Sequence, residues 1–161
     1  MNIDRILSEL NSAEVDYLLI GGVNFLLRHQ GPLTHDVDVW VRDSEENLTR
    51  LLVALQHLDA EWGRTDATWG PVAKDTSWLK SQAIFCLLTS AGSLDIFRQV
   101  RGLEDQYEQC RQRAIASRTS SGVPYLALAD EDMLQTQLVL DPAEQKLDRI
   151  SVLKRALKKV N

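Results

Sequence analysis

Apolar residues recur at helical spacing at Ile3, Ile6, Leu7 and Leu10, which predicts a short opening helix ending near Asn11 and Ser12. Val15 to Ile20 follows as a strand. Gly21-Gly22 then breaks the pattern, and Val23 to His29 has the length and composition of a helix leading away from the glycines. After a Gly31-Pro32 turn, Asp36, Asp38 and Trp40 alternate with Val37, Val39 and Val41, the period-two signature of a strand with two unlike faces. Asp43 is placed to cap the next helix with Glu46 as its capping-box partner, and Leu48, Leu51, Leu52, Leu55 and Leu58 form that helix's buried stripe. Residues 59–80 contain Trp62, Gly63, Trp69, Gly70, Pro71 and Trp78 without clean periodicity, and predict a long ordered loop with at most one irregular strand.

Ile84 to Thr89 and Leu94 to Phe97 predict a hairpin around Ser90-Ala91-Gly92-Ser93, with Asp95 on its second strand. Glu104 to Ala114 reads as a helix, and Ile115 to Thr119 and Tyr125 to Leu128 as short edge strands. Asp130 opens another helix. Pro142 fits the first turn of the last one, whose apolar stripe is Leu147, Ile150, Leu153, Leu157 and Val160. The expected architecture is α/β: a small mixed, mostly antiparallel sheet carrying the carboxylates, helices on its other face, and a C-terminal helical segment. One domain is expected over 1–161, with residues 1–120 as catalytic core and 121–161 as the helical segment.

Composition agrees with a folded globular chain. Of 161 residues, 44% are hydrophobic and 25% charged, which excludes disordered and fibrous classes. No apolar run approaches a membrane span, and the start lacks the layout of a signal peptide, so a cytoplasmic protein without membrane contact is expected. Cys86 and Cys110 build neither a disulfide framework nor a zinc site, and are expected to be reduced and structural. The net charge of -5 is unevenly distributed. Residues 1–144 carry 12 basic and 22 acidic side chains, whereas residues 145–161 carry 6 basic and 1 acidic. The acidic body argues against a general nucleic-acid coat, which needs a basic face. The basic tail suits the end of a terminal helix or a local phosphate contact.

Asp36 and Asp38 leave one strand face with their carboxylates roughly 6 to 7 Å apart. Alternating polar residues often only line a solvated face, but beside apolar neighbours such a pair calls for a compensating charge. A hard cation with oxygen ligands, Mg2+ or Mn2+, supplies it. Asp95, within Leu94-Asp95-Ile96-Phe97, has the same need. If its strand pairs beside the first, three carboxylates meet as a two-metal phosphoryl-transfer site requires. Gly21-Gly22, between a strand and a helix, lets the backbone approach a phosphate that the helix N-terminus attracts.

These residues resemble the DNA polymerase beta superfamily of nucleotidyltransferases. Ile20-Gly21-Gly22, thirteen intervening residues, Asp36-Val37-Asp38-Val39 and the later Leu94-Asp95-Ile96 match the superfamily's three motif parts in order. The stretch from Tyr17 to Val41 looks most like the small prokaryotic branch of minimal nucleotidyltransferases and abortive-infection (AbiEii-type) toxins. The resemblance implies transfer of a nucleoside monophosphate from an NTP to an acceptor hydroxyl, with Mg2+ (or Mn2+) as cofactor and release of pyrophosphate. It implies Asp36, Asp38 and Asp95 as metal-binding and catalytic residues, and Gly21 and Gly22 facing the triphosphate. Thr34 has the hydroxyl to bind a phosphate or cap the turn. The acceptor is left open among an RNA end, a protein hydroxyl and a small molecule, and a homodimer or partner protein is expected to complete so small a pocket. Two departures favour an alternative, a catalytically silent binding module: Pro32 and Gln137 stand where relatives tend to carry arginine and lysine. Lys146 and Arg149 are the nearest substitutes in sequence. A glycosyltransferase would use an Asp-x-Asp pair but leaves the glycines unexplained. Base stacking by Trp62, Trp69 and Trp78 competes with a packing role for them.

Overall fold

Valines on one side and carboxylates on the other make residues 36–41 a strand, and the chain builds a sheet around it. The computed structural model describes residues 1–160, and the side chains of residues 1–159. In chain order it has α1 (Ile3–Ser12), β1 (Tyr17–Ile20), α2 (Gly21–His29), β2 (Asp36–Val41), α3 (Glu45–His57), β3 (Glu61–Trp62) and β4 (Gly70–Pro71). There follow β5 (Ile84–Thr89), β6 (Gly92–Phe97), α4 (Tyr107–Gln112), β7 (Ile115–Arg118), β8 (Pro124–Ala127), α5 (Asp130–Leu138) and α6 (Leu147–Val160). The sheet order is β4-β3-β5-β6-β2-β1-β8-β7. Pairing is antiparallel except between β2 and β6 and between β1 and β8, so the sheet is mixed and mostly antiparallel, as expected.

Val37, Val39 and Val41 face an aliphatic core closed by Ile6, Leu7 and Leu10 of α1 and by Leu48, Leu51 and Leu55 of α3, all buried. Each such side chain contributes about 1.5–3 kcal/mol. On the opposite face, Leu18, Ile20 and Trp40 are covered by Cys110 of α4, Met133 of α5 and Leu153 of α6. That cover stops short of β5, whose outward residues Ile84, Cys86 and Leu88 are exposed. The carboxylate face is therefore half roofed by the C-terminal helices and half open.

Several local expectations are revised by long-range partners. Asp43 does not cap α3: both its oxygens accept from Arg98, each at 2.9 Å, and Ser44 caps instead by accepting from the Asn47 N–H. The hairpin turn is only Ser90-Ala91, because Thr89 pairs with Gly92. Residues 59–80 form two short strands and two 3-10 turns, held by Trp62 and Trp78 stacked at 5.3 Å and both edge-on to Phe85 at 5.2 Å. Trp69 stays at the surface, donating to Glu61 at 3.0 Å. The helix expected over 104–114 shrinks to α4, since Asp105 takes a left-handed conformation (φ 57°) and Glu104 accepts from the Gly102 N–H. Of the two strands expected at an edge, only β7 lies there, because β8 pairs with β1. Pro142 falls in the turn before α6, and Leu147 is 69% exposed, outside the apolar stripe. The Val160 side chain lies outside the described residues.

Candidate active site

Parallel pairing of β2 with β6 sets Asp38 directly beside Asp95 and Asp36 beside Ser93. Since residues two apart on a strand share a face, the three carboxylates converge, each with a ligand oxygen within 4.8 Å of the others. Thr34 Oγ1 donates to Asp36 Oδ1 at 2.8 Å, and the Gly22 N–H donates to Asp38 Oδ2 at 3.4 Å.

Both glycines are required by close approach. Gly21 has φ 65°, and a Cβ there would overlap the Asp38 carboxylate; a Cβ on Gly22 would press on the Thr34 hydroxyl at 2.8 Å. The backbone thus carries the start of α2 against the acidic cluster, with first-turn amides and helix dipole turned toward it. Gly21→Ala is expected to displace Asp38 and to remove most Mg2+-dependent stabilisation of the protein while leaving its helical circular dichroism intact. Unchanged Mg2+ dependence in a melting scan would refute this account of Gly21.

Burial, with Asp36 and Asp95 adding repulsion, pushes the Asp38 carboxyl up to about 7. Burial also raises Asp95, opposed by a hydrogen bond from the Cys86 thiol. Such a cluster fits a divalent cation: its donors are hard oxygens, and an ion's charge would offset the repulsion that lifts Asp38. Cys86, placed in sequence as a packing residue, is instead exposed opposite Asp95 across the β5–β6 pair. Partial desolvation at the sheet face, together with the carboxylates of Asp95, Asp38 and Asp36, raises its thiol to about 11.

The C-terminal segment brings two cations, Lys146 and Arg149, to the start of α2. Gly22, Thr34, Lys146 and Arg149 line a cleft of about 690 Å³ between the start of α2, the 30–34 loop and the start of α6. The Arg149 guanidinium lies 4.9 Å over the Phe25 ring. Burial lowers its proton affinity, an effect that the Asp38 carboxylate opposes. His29, without a partner nearby in sequence, bonds Asp130 Oδ1 through Nε2 at 3.0 Å, and Arg28 shares that oxygen. His35 is exposed just ahead of β2. The basic excess of the tail was the available signal for Arg149; nothing local signalled His29 or Cys86.

No protein-family model matches the chain, and no curated protein does. Solved structures do. ANT(2'')-Ia in complex with adenylyl-2''-tobramycin superposes with TM-score 0.53 at 13% identity, over 99% of this chain and 87% of that one. The lincosamide antibiotic adenylyltransferase LnuA, bound to lincomycin, gives 0.52 at 17%, over 92% of each chain. A proposed nucleotidyltransferase from Thermotoga maritima gives 0.51 at 16%, over 97% and 88%. The fold is thus one shared with nucleotidyltransferases.

Proposed function

We propose that the protein is a nucleotidyltransferase that moves a nucleoside monophosphate from an NTP to an acceptor hydroxyl. The convergence of Asp36, Asp38 and Asp95 beside the glycine start of α2 carries this reading. The likeness in fold to two antibiotic adenylyltransferases supports it.

Asp36, Asp38 and Asp95 would hold Mg2+ or Mn2+, which when bound neutralises charge developing on the reacting phosphate. The amides that open α2, with Lys146 and Arg149, attract and orient the triphosphate in the larger cleft. Thr34 lines the same cleft beside Gly22. The acceptor approaches over the open β5 side, next to Asp95. Its oxygen forms a bond to the α-phosphorus, the bond to the bridging oxygen breaks, and pyrophosphate leaves. The Asp95 carboxylate, at the open β5 side, takes the acceptor's proton.

The reading is tested by melting scans with each NTP, with and without Mg2+. Ligand at about 100 times its Kd should add roughly 2.7 kcal/mol, in a metal-dependent way. Arg149→Met should weaken NTP binding about tenfold or more, as loss of a charge-assisted bond to phosphate does, while Mg2+ alone still stabilises the variant. A folded protein that no NTP stabilises would overturn the proposal in favour of a silent binding module, the reading that Pro32 and Gln137 favour.

A further inference from the structure

Ser93 stands on the carboxylate face of β6, two residues before Asp95. Its register neighbours are Asp36 on β2 and Leu88 on β5, so it sits where the acidic cluster meets the open half of the sheet. Strands lie about 4.8 Å apart, which puts the Ser93 side chain among the groups immediately around the three carboxylates. It is half-buried; its Oγ is bonded to no group among the described residues and is not sealed from solvent.

The other hydroxyls beside the cluster are engaged. Thr34 Oγ1 donates to Asp36 at 2.8 Å, and Thr136 Oγ1 donates to the Met133 carbonyl at 2.8 Å. Thr34 also lines the cleft proposed for the triphosphate, whereas Ser93, on β6, is on the far side of β2 from the β1–α2 junction. Displacement at phosphorus sets the attacking and leaving oxygens roughly in line. With pyrophosphate leaving toward α2, the attacking oxygen comes from the β6 side, where Ser93 has a free hydroxyl.

Resting on the nucleotidyltransferase reading, we infer that the protein modifies itself: Ser93 accepts the nucleoside monophosphate when no other acceptor is present. Ser93 Oγ forms the bond to the α-phosphorus, the bond from that phosphorus to the bridging oxygen breaks, and pyrophosphate leaves. The hydroxyl proton passes to Asp95, the base for any acceptor on this side. A hydroxyl held in the protein needs no second molecule to be captured and oriented, which offsets the weak nucleophilicity of serine. The product is a phosphodiester rooted between Asp36 and Leu88, so the attached nucleotide covers the cluster and excludes a second NTP. Self-modification thereby closes the site of a protein that lacks acceptor.

The test incubates the whole protein with each NTP, with and without Mg2+, and reads it by intact-protein and peptide mass spectrometry. The expected result is a Mg2+-dependent gain of a single NMP per chain, carried by the peptide that contains Ser93. Its rate per molecule should not change with protein concentration. Ser93→Ala should abolish the gain yet keep the Mg2+-dependent melting shift that an NTP gives wild type, and the modified wild type should have lost that shift. A gain that sits on Thr34, Cys86 or any other residue, that survives in Ser93→Ala, or whose rate per molecule rises with protein concentration would overturn the inference. So would a wild type that NTP and Mg2+ stabilise but that stays unmodified. A wild type stabilised by no NTP would instead defeat the nucleotidyltransferase reading itself.

Discussion

Asp38→Asn is expected to make the metal-free protein more stable at pH 8 while lowering the proposed nucleotidyl transfer about a thousandfold, the scale of losing a charge-stabilising group at a phosphoryl-transfer site. The two effects have one origin. The Asp38 carboxyl is pushed up to about 7 by burial and by Asp36 and Asp95, against about 3.9 in the unfolded chain. Because the folded state holds the proton more tightly, stability from this group falls as pH rises from about 4 through 7, and the full penalty is present above 7. That penalty is on the order of a few kcal/mol, and asparagine removes it, since an amide carries no charge to desolvate. The variant's advantage in melting temperature should therefore be largest near pH 8 and shrink toward pH 4. Mg2+ should reverse the order, by stabilising wild type and leaving the variant nearly unchanged. A variant that melts below the metal-free wild type at pH 8, or one that keeps the full response to Mg2+, would contradict the electrostatic account of the cluster.

Phe85→Ala is expected to cost about 3–5 kcal/mol, close to the loss usual for a fully buried phenylalanine. Phe85 is 0% exposed and lies edge-on to both Trp62 and Trp78, which stack on each other. Each aromatic pair adds about 0.5–1.5 kcal/mol beyond area burial. Residues 59–80 join the sheet by a single β3–β5 pair, Glu61 with Leu88, so losing the ring that Trp62 and Trp78 pack on should do most damage there. Denaturant titration followed by far-ultraviolet circular dichroism gives the stability, and tryptophan emission in native buffer gives the local effect, a red shift as Trp62 and Trp78 meet water. Phe85→Leu, which refills part of the volume, should recover about half the loss. A variant with unshifted emission and less than about 1 kcal/mol of destabilisation would show that the aromatic cluster does not hold the segment.

This cluster also explains why residues 59–80 defeated periodicity. Their order comes from three rings that meet only after β5 is in the sheet, so no repeat within the segment records it. The same holds for Asp43. Its position before a helix favours a cap at short range, but Arg98, 55 residues away, provides two charge-assisted bonds that a cap cannot match. His29 and Asp130 meet across 101 residues, and Cys86 meets Asp95 only through the hairpin register.

What the sequence determined by itself was whatever rests on spacing within one element: the two faces of residues 36–41, the shared side of Asp36 and Asp38, the buried stripe of α3, and a glycine pair at a strand-to-helix junction. These follow from the fixed periods of strand and helix and from the absence of a Cβ, and need no partner. Tertiary structure alone decided that β6 lies parallel to β2, which adds Asp95 to the pair. It also decided that α6 returns to set Lys146 and Arg149 along the cleft that Gly22 lines, and that Gln137, which breaks the expected basic pattern, accepts the Lys146 backbone N–H. Those placements depend on strand order and helix packing. Their free energy is spread over many apolar contacts far from the residues they bring together, so it leaves no local mark on the chain.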